Sequence, residues 1–401
     1  MSAHTTTDFD VIIVGAGPAG LGVALPLIEC GITRICILEA RSVGASFDNW
    51  PRQMRLITPS FHSNPFRQPD LNAITIDTSP ADFIRSEHPT GKEYAAYLRS
   101  VVSHYQLPVR EGVKVEKISP GSSGSPFKVE TSAGVFTAKN IIWAAGEFFY
   151  PLDDDFDGAE HCIHNTKITD WTQLVGDEFA IVGGYESGVD AAINLLNNGK
   201  TVHLLSRGRP WKEDSSDPSN ALSPYTRDKL RATLERFTDE LHLHADADIT
   251  QVLEIGGKYV LIDKDNIPFT ISTRPILATG FLGSLTKIIH HFELKNGHPV
   301  FSEEADESTI TPGLFYSGPL LEHRGAKFCF IYKFRSRFGV IASEIARRLG
   351  GDPMPLDAYE DNGFLNEDLD CCTDCTCAIP SEAAPPEARA RRYAEAIKAL
   401  S

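Results

Sequence analysis

The chain lacks any uncharged apolar run of about 18 residues, which excludes a helical membrane span. No apolar stretch follows the short polar start, Met1 to Asp8, so no secretory leader is expected there. Positive charge is in deficit. The 38 Lys plus Arg stand against 54 Asp plus Glu, a formal net charge of −16, which counts against nucleic acid as a partner. Cysteine is sparse over most of the length. Cys30, Cys36, Cys162 and Cys329 are scattered, too thin for an extracellular disulfide framework, and they point to a reducing, cytoplasmic setting. No Cys-x-x-Cys dithiol occurs before residue 371. With 401 residues, 42% of them hydrophobic, the chain has material for two or three domains, each with its own core.

Val11 to Val14 reads as a short buried strand, and Gly15-Ala-Gly-Pro-Ala-Gly20 follows it directly. A helix from Leu21 to Cys30 and a second strand, Arg34 to Leu38, ending in Glu39, complete a dinucleotide fingerprint. Gly15 permits the tight turn, Gly17 lets the backbone approach a pyrophosphate, and Gly20 lets helix and strand pack closely. Pro18 and Ala19 complete the turn, whose N–H groups face the pyrophosphate, and Glu39 is placed to accept the ribose diol. Pro26 is expected to kink or shorten the helix.

The arrangement recurs. The strand Phe179 to Val182 leads into Gly183-Gly-Tyr-Glu-Ser-Gly188, then a helix from Val189 to Asn197 and a strand from Thr201 to Leu205. Gly183, Gly184, Ser187 and Gly188 are the candidate binding residues. Tyr185 takes the third position of the turn, where the usual pattern has glycine, which implies either a looser approach to the pyrophosphate or a different backbone route. The second strand ends in Ser206-Arg207-Gly208-Arg209 instead of an acid. Arg207 can pair with a 2′-phosphate, which favours NADPH over NADH; a solvated surface position is the plainer alternative.

Two fingerprints in one chain suggest FAD on the first and a nicotinamide coenzyme on the second. On these segments the chain resembles the two-dinucleotide-binding flavoproteins, a group that includes thioredoxin reductases, low-molecular-weight disulfide reductases and flavin-containing monooxygenases. Thr137 to Gly146 resembles the return from the inserted domain, Ile271 to Gly280 its counterpart, and Gly313 to Gly318 the late strand near the flavin. The resemblance covers about residues 9 to 350. It implies an α/β fold with two Rossmann-like dinucleotide-binding domains. A discontinuous FAD domain (9–150 and 283–350) would receive an inserted NAD(P)H domain (151–282), and a flexible, acidic, Cys-rich extension (351–401) would follow. Gly146 and Gly280 would mark the two crossings, and Gly318 would lie along the flavin. The resemblance also implies a homodimer.

The irregular stretch Gly44 to His88 resembles the segment that approaches the flavin. Trp50 and Phe61 either wall the isoalloxazine or pack the loop onto its own domain. The spacing of Tyr94, Tyr97, Leu98 and Val101 marks a buried helical face. A long helix is expected from about Phe328, with His323, Ala326 and Lys327 near the flavin, and His323 is the candidate catalytic side chain. Cys329, among Phe328, Phe330 and Ile331, reads as an inert core thiol.

The electron acceptor is less directly written. Bacillithiol disulfide reductase-like proteins carry a cysteine within the first glycine motif, where this chain has Ala19. Phe156-Asp-Gly158 with His161 or His164 resembles a monooxygenase signature without matching its spacing. Cys371, Cys372, Cys375 and Cys377 crowd into the tail. They suit a dithiol arm, a soft-metal site of undefined metal, or an idle tail. The reading is an FAD-dependent NAD(P)H oxidoreductase reducing a disulfide or similar small acceptor. Monooxygenation of a small organic substrate and a non-catalytic flavin-binding module are the alternatives.

Overall fold

The computed structural model describes residues 8–62, 68–121, 125–213, 215, 217–369 and 387–399. The chain divides into two compact units: residues 1–48, 58–147 and 283–401 in the first, and 49–57 with 148–282 in the second.

The first unit is built on a seven-stranded sheet. Asp8–Val14 lies at its centre, parallel to Ile35–Leu38 on one side and to Gly134–Trp143 on the other. Val109–Arg110 extends the parallel edge beyond Ile35–Leu38. Val11, Ile12 and Ile13 have no exposed surface, as expected of a strand covered on both faces. Gly134–Trp143 divides its outer edge between two partners. Residues 134–138 pair antiparallel with Phe127–Thr131, and residues 141–143 pair parallel with Leu314–Tyr316.

Pro18–Glu29 runs through Pro26, so of the two expected effects of this proline, shortening does not occur. Its flank is held by close packing: a Cβ on Gly22 would overlap the Phe338 ring of the helix Phe338–Leu349. Gly91–Tyr105 starts at a capping box, in which the Thr90 hydroxyl accepts from Glu93 N–H while the Glu93 carboxylate accepts from Thr90 N–H. Tyr94, Tyr97, Leu98 and Val101 form its buried face.

The helix expected from Phe328 is broken. A hairpin pairs Glu322–His323 with Ala326–Lys327, a short helix spans Ile331–Phe334, and a tighter 3-10 turn at Arg335–Arg337 precedes Phe338–Leu349. The turn carries two inward guanidinium groups. Arg335 donates to the carbonyls of Asp70 and Ala73, and Arg337 to Asp306 and to the carbonyls of Glu303 and Asn366. Cys329 is exposed, whereas Phe328 and Ile331 are buried, so the core placement expected for this thiol does not hold. The non-helical backbone here sends neighbouring side chains in different directions. The helix Glu387–Lys398 belongs to the first unit. Its Tyr393 is buried, and Ala390 lies where a Cβ on Gly297 would be.

The second unit has a five-stranded parallel sheet in the order Leu241–His244, Thr201–Leu205, Glu178–Val182, Ile276–Leu277, Ile163–His164. Glu186–Asn197 and Pro224–Arg236 supply its helices, with Val189, Ala192, Leu196 and Leu230 in one core. An antiparallel sheet of Ile249–Ile255, Lys258–Asp263 and Pro268–Ile271 contributes Val252, Leu261 and Ile271 to a second core with Ala180 and Val182. Among the described residues, no helix is long and apolar enough to cross a membrane.

Candidate functional site: two glycine turns of one construction

The first turn leaves the end of Asp8–Val14. Gly15 has φ +109°, and a Cβ there would overlap the Ala144 carbonyl oxygen, so both conformation and space call for glycine. Gly15 N–H donates to Leu38 O at 2.8 Å, and Ala144 N–H to Val14 O at 2.9 Å. Gly17 is the N-cap, with open space where a side chain would go. Pro18 occupies the first helical turn, where its missing N–H costs nothing. Ala19 is buried, and a Cβ on Gly20 would overlap the Gly15 carbonyl. No side chain caps this helix, so its first N–H groups remain available to an anion. Glu39 Oε2 accepts from Ala16 N–H and Oε1 from Arg41 N–H, each at 2.8 Å. That fixes the carboxylate beside the turn and leaves lone pairs for a diol.

The second turn repeats the backbone features of the first. Gly183 has φ +114°, its Cβ position overlaps Ala278 O, and its N–H donates to Leu205 O at 2.8 Å. Ala278 N–H donates to Val182 O at 2.8 Å. A Cβ on Gly188 would overlap Gly183 O. Ser187 lies in the first turn of Glu186–Asn197, which again has no side-chain cap. Gly184 is needed for space: a Cβ there would meet Ser206 Oγ at 2.5 Å and the Trp211 ring at 3.2 Å. Tyr185 is the N-cap at φ −89°, ψ −161°, against −88° and −174° for Gly17. The chain therefore takes the ordinary route through Tyr185, and of the two alternatives the different backbone path is excluded.

The strand ends differ in charge. Glu39 closes the first pair of strands, whereas Arg207 follows the second, exposed and with no hydrogen bond or ion pair among the described residues. Arg209 is engaged by Asp246, with Nη2–Oδ2 at 2.5 Å, so of the two arginines it is Arg207 that lacks a partner among the described residues.

The remaining candidates lie around these turns. Gly146 and Gly280 both have positive φ, +68° and +86°. Gly146 O accepts from Ser284 N–H at 2.9 Å. Gly280 O accepts from Leu152 N–H at 3.0 Å and from His164 Nε2 at 3.1 Å. Burial pushes His164 down to about 4, so the ring is neutral, with its proton on Nε2 facing the carbonyl. Gly318 has φ +147°, and a Cβ there would come within 3.0 Å of the Tyr316 hydroxyl. His323 is buried, with Nε2 at 2.6 Å from Asp306 Oδ1; the same carboxylate takes the Arg337 guanidinium. Asp306 and Arg337 carried no local signal, since their partners lie 17 and 31 positions away in sequence. Trp50 belongs to the segment 49–57 of the second unit, whose Arg52 N–H donates to Thr169 O and whose Gln53 donates to Asp170. Burial raises the thiols of Cys30 to about 11 and Cys162 to about 12, which makes poor nucleophiles of both. Cys371, Cys372, Cys375 and Cys377 lie outside the described residues, and no group of ligands among the described residues suits a metal ion.

Two glycine turns of one construction, each between parallel strands of its own sheet, define a two-dinucleotide oxidoreductase. The chain belongs to the pyridine nucleotide-disulphide oxidoreductase family, whose pattern matches residues 12–318. Bacilliredoxin reductase Bdr of Bacillus subtilis is 26% identical over 346 residues, 84% of this chain and 97% of that protein. The bacillithiol disulfide reductase Bdr of Staphylococcus aureus superposes with a TM-score of 0.70 at 21% identity, over 86% of this chain and 99% of its own. The Bacillus cereus enzyme of the same description gives 0.67 at 25% identity, over 85% and 100%. The chain is accordingly an FAD-dependent pyridine-nucleotide oxidoreductase. The uncapped helix, the glycine cradle and Glu39 fit FAD; the second cradle and Arg207 fit NADPH.

Proposed function

We propose that this enzyme reduces a low-molecular-weight or small-protein disulfide, with FAD on the turn Gly15–Gly20 and NADPH on the turn Gly183–Gly188. The observation that carries the reading is the repeated turn with opposite charge at the two strand ends, Glu39 on one and Arg207 on the other. Bound flavin supplies the two-electron exchange between nicotinamide and sulfur. The net reaction is NADPH plus a proton plus RSSR giving NADP⁺ and two RSH.

The chain's own residues bind and orient. N–H groups of the two uncapped helices take the pyrophosphates. Glu39 takes the FAD ribose diol, and Arg207 pairs with the 2′-phosphate. Gly146, Gly280 and Gly318 keep the backbone clear of the cofactors. His323 holds a proton for the departing thiolate, kept in one orientation by Asp306. Cys371, Cys372, Cys375 and Cys377 supply the exchanging thiols. The full enzyme is a cytoplasmic homodimer that binds no nucleic acid.

Anaerobic stopped-flow reduction of the holoenzyme by NADPH and by NADH tests this reading. Fast flavin bleaching by NADPH, with thiols titrating on the cysteines of the tail after one turnover, is expected. No bleaching by either nucleotide overturns the two-cofactor assignment. Bleaching without new thiols, followed by a persistent peroxyflavin absorbance in air, overturns disulfide reduction in favour of oxygenation.

A further inference from the structure

The residues after Thr201–Leu205 fold back over the second glycine turn. Trp211 and Ser206 crowd the place of a Gly184 side chain. Glu213 Oε2 accepts from the Tyr185 hydroxyl at 2.9 Å, and Glu213 Oε1 lies 3.6 Å from where a Gly208 Cβ would sit. Burial and the Glu213 carboxylate together push the Tyr185 hydroxyl up to about 12, against the pull of Arg207. Tyr185, Arg207, Gly208 and Glu213 thus surround one spot at the end of the second strand, where such folds read the 2′ position of the adenosine ribose. With Arg209 committed to Asp246, Arg207 and the Glu213 carboxylate contend for the group that arrives there.

We propose that Glu213 is a specificity-determining residue of the coenzyme site, held by Tyr185 where the 2′-phosphate must arrive and displaced from the tyrosine hydroxyl when it does. The proposal rests on the placing of NADPH on the second turn. A carboxylate repels a phosphate but has no such quarrel with the neutral diol of NADH. Glu213 therefore narrows the preference that Arg207 creates and speeds the departure of NADP⁺. Tyr185 is in consequence the anchor of a displaceable latch, which accounts for a tyrosine at a backbone position that glycine would fill equally well.

Isothermal titration of the flavin-loaded protein with NADP⁺ and with NAD⁺ tests this without turnover. Glu213→Gln is expected to tighten NADP⁺ about fivefold or more and to move NAD⁺ by less than about twofold. Tyr185→Phe, which frees the carboxylate without removing it, is expected to tighten NADP⁺ by less. Flavin absorbance retained by each variant reports folding. An unchanged NADP⁺ to NAD⁺ ratio in Glu213→Gln, with NADP⁺ weakened in Arg207→Ala, overturns the role of Glu213 and leaves the site standing. No change in either variant overturns the placing of the coenzyme itself.

Discussion

Gly17 and Tyr185 share one backbone conformation at equivalent points of two separate turns, φ −88°, ψ −174° and φ −89°, ψ −161°. Neither angle lies in the left-handed region, so the glycine at this point serves the space outside the chain instead of its path. Tyr185→Gly is therefore expected to leave the fold intact. Thermal unfolding should shift by less than about 1 kcal/mol, the worth of one exposed hydrogen bond. Loss of the fold in this variant would contradict the shared backbone path.

The paired overlaps at Gly20 and Gly188 predict separable losses. A methyl at either position meets a backbone carbonyl that cannot swing aside, at a cost of about 1–3 kcal/mol. Gly20→Ala should lose FAD on gel filtration. Gly188→Ala should keep its yellow colour and lose NADP⁺ binding by calorimetry. Retained FAD in the first variant would show that the turn relaxes.

Glu39 is tied to two N–H groups, and removing it strands a donor at the turn. Glu39→Ala is expected to weaken FAD by roughly 10- to 100-fold, equivalent to about 1–3 kcal/mol. Fluorescence titration of the apoprotein with FAD measures this. An affinity within twofold of the wild type would rule out the diol contact.

Asp306 neutralises Arg337 in a fully buried setting and has φ +55°. Asn tolerates that backbone as well as Asp does, so Asp306→Asn isolates the charge. The expected loss is about 3–5 kcal/mol in urea unfolding, the cost of a buried guanidinium without its counterion. His323 would lose its orienting carboxylate in the same variant.

His164 predicts a pH slope. Burial holds it near 4 in the folded chain, below its ordinary value of 6.5, so the unfolded chain binds the extra proton first. Its contribution is complete above pH 6.5 and is lost as pH falls towards 4, by about 1.4 kcal/mol per unit at most. Asp190 acts in the opposite sense. Raised by burial to about 6 from 3.8, it favours the fold most below 3.8 and loses that advantage as pH rises through 6. Urea curves at pH 7, 5.5 and 4.5 should show a shallower acid loss in His164→Gln and a steeper one in Asp190→Asn. Parallel curves for all three proteins would remove both assignments.

Local pattern carried much of this architecture into the sequence. The two strand–turn–helix–strand runs, the buried face at Tyr94, Tyr97, Leu98 and Val101, and the glycines of both turns follow from spacing and chain conformation alone. What could not be read depends on distant partners. Arg207 and Arg209 look alike in sequence, and only Asp246, 37 positions on, separates them. Tyr185 has no local partner, and only Glu213, 28 positions away, supplies one. The helix expected through Arg335 and Arg337 was set aside by buried carbonyl and carboxylate acceptors far off in sequence. The exposure of Cys329 followed from that change of backbone.

The outer edge of Gly134–Trp143 is completed half by a neighbouring hairpin and half by Leu314–Tyr316. On the ribosome these halves become available at different times. The hairpin can close on the strand soon after residue 143 is made, while residues 141–143 must wait until the whole of 148–282 has been synthesised. During that interval the nascent first unit carries an unpaired strand edge beside the incipient flavin turn, and the largely contiguous second unit is free to fold first. A chain stopped before residue 314 would keep that edge open, so nonsense truncation in this region should yield aggregation instead of a shorter flavoprotein.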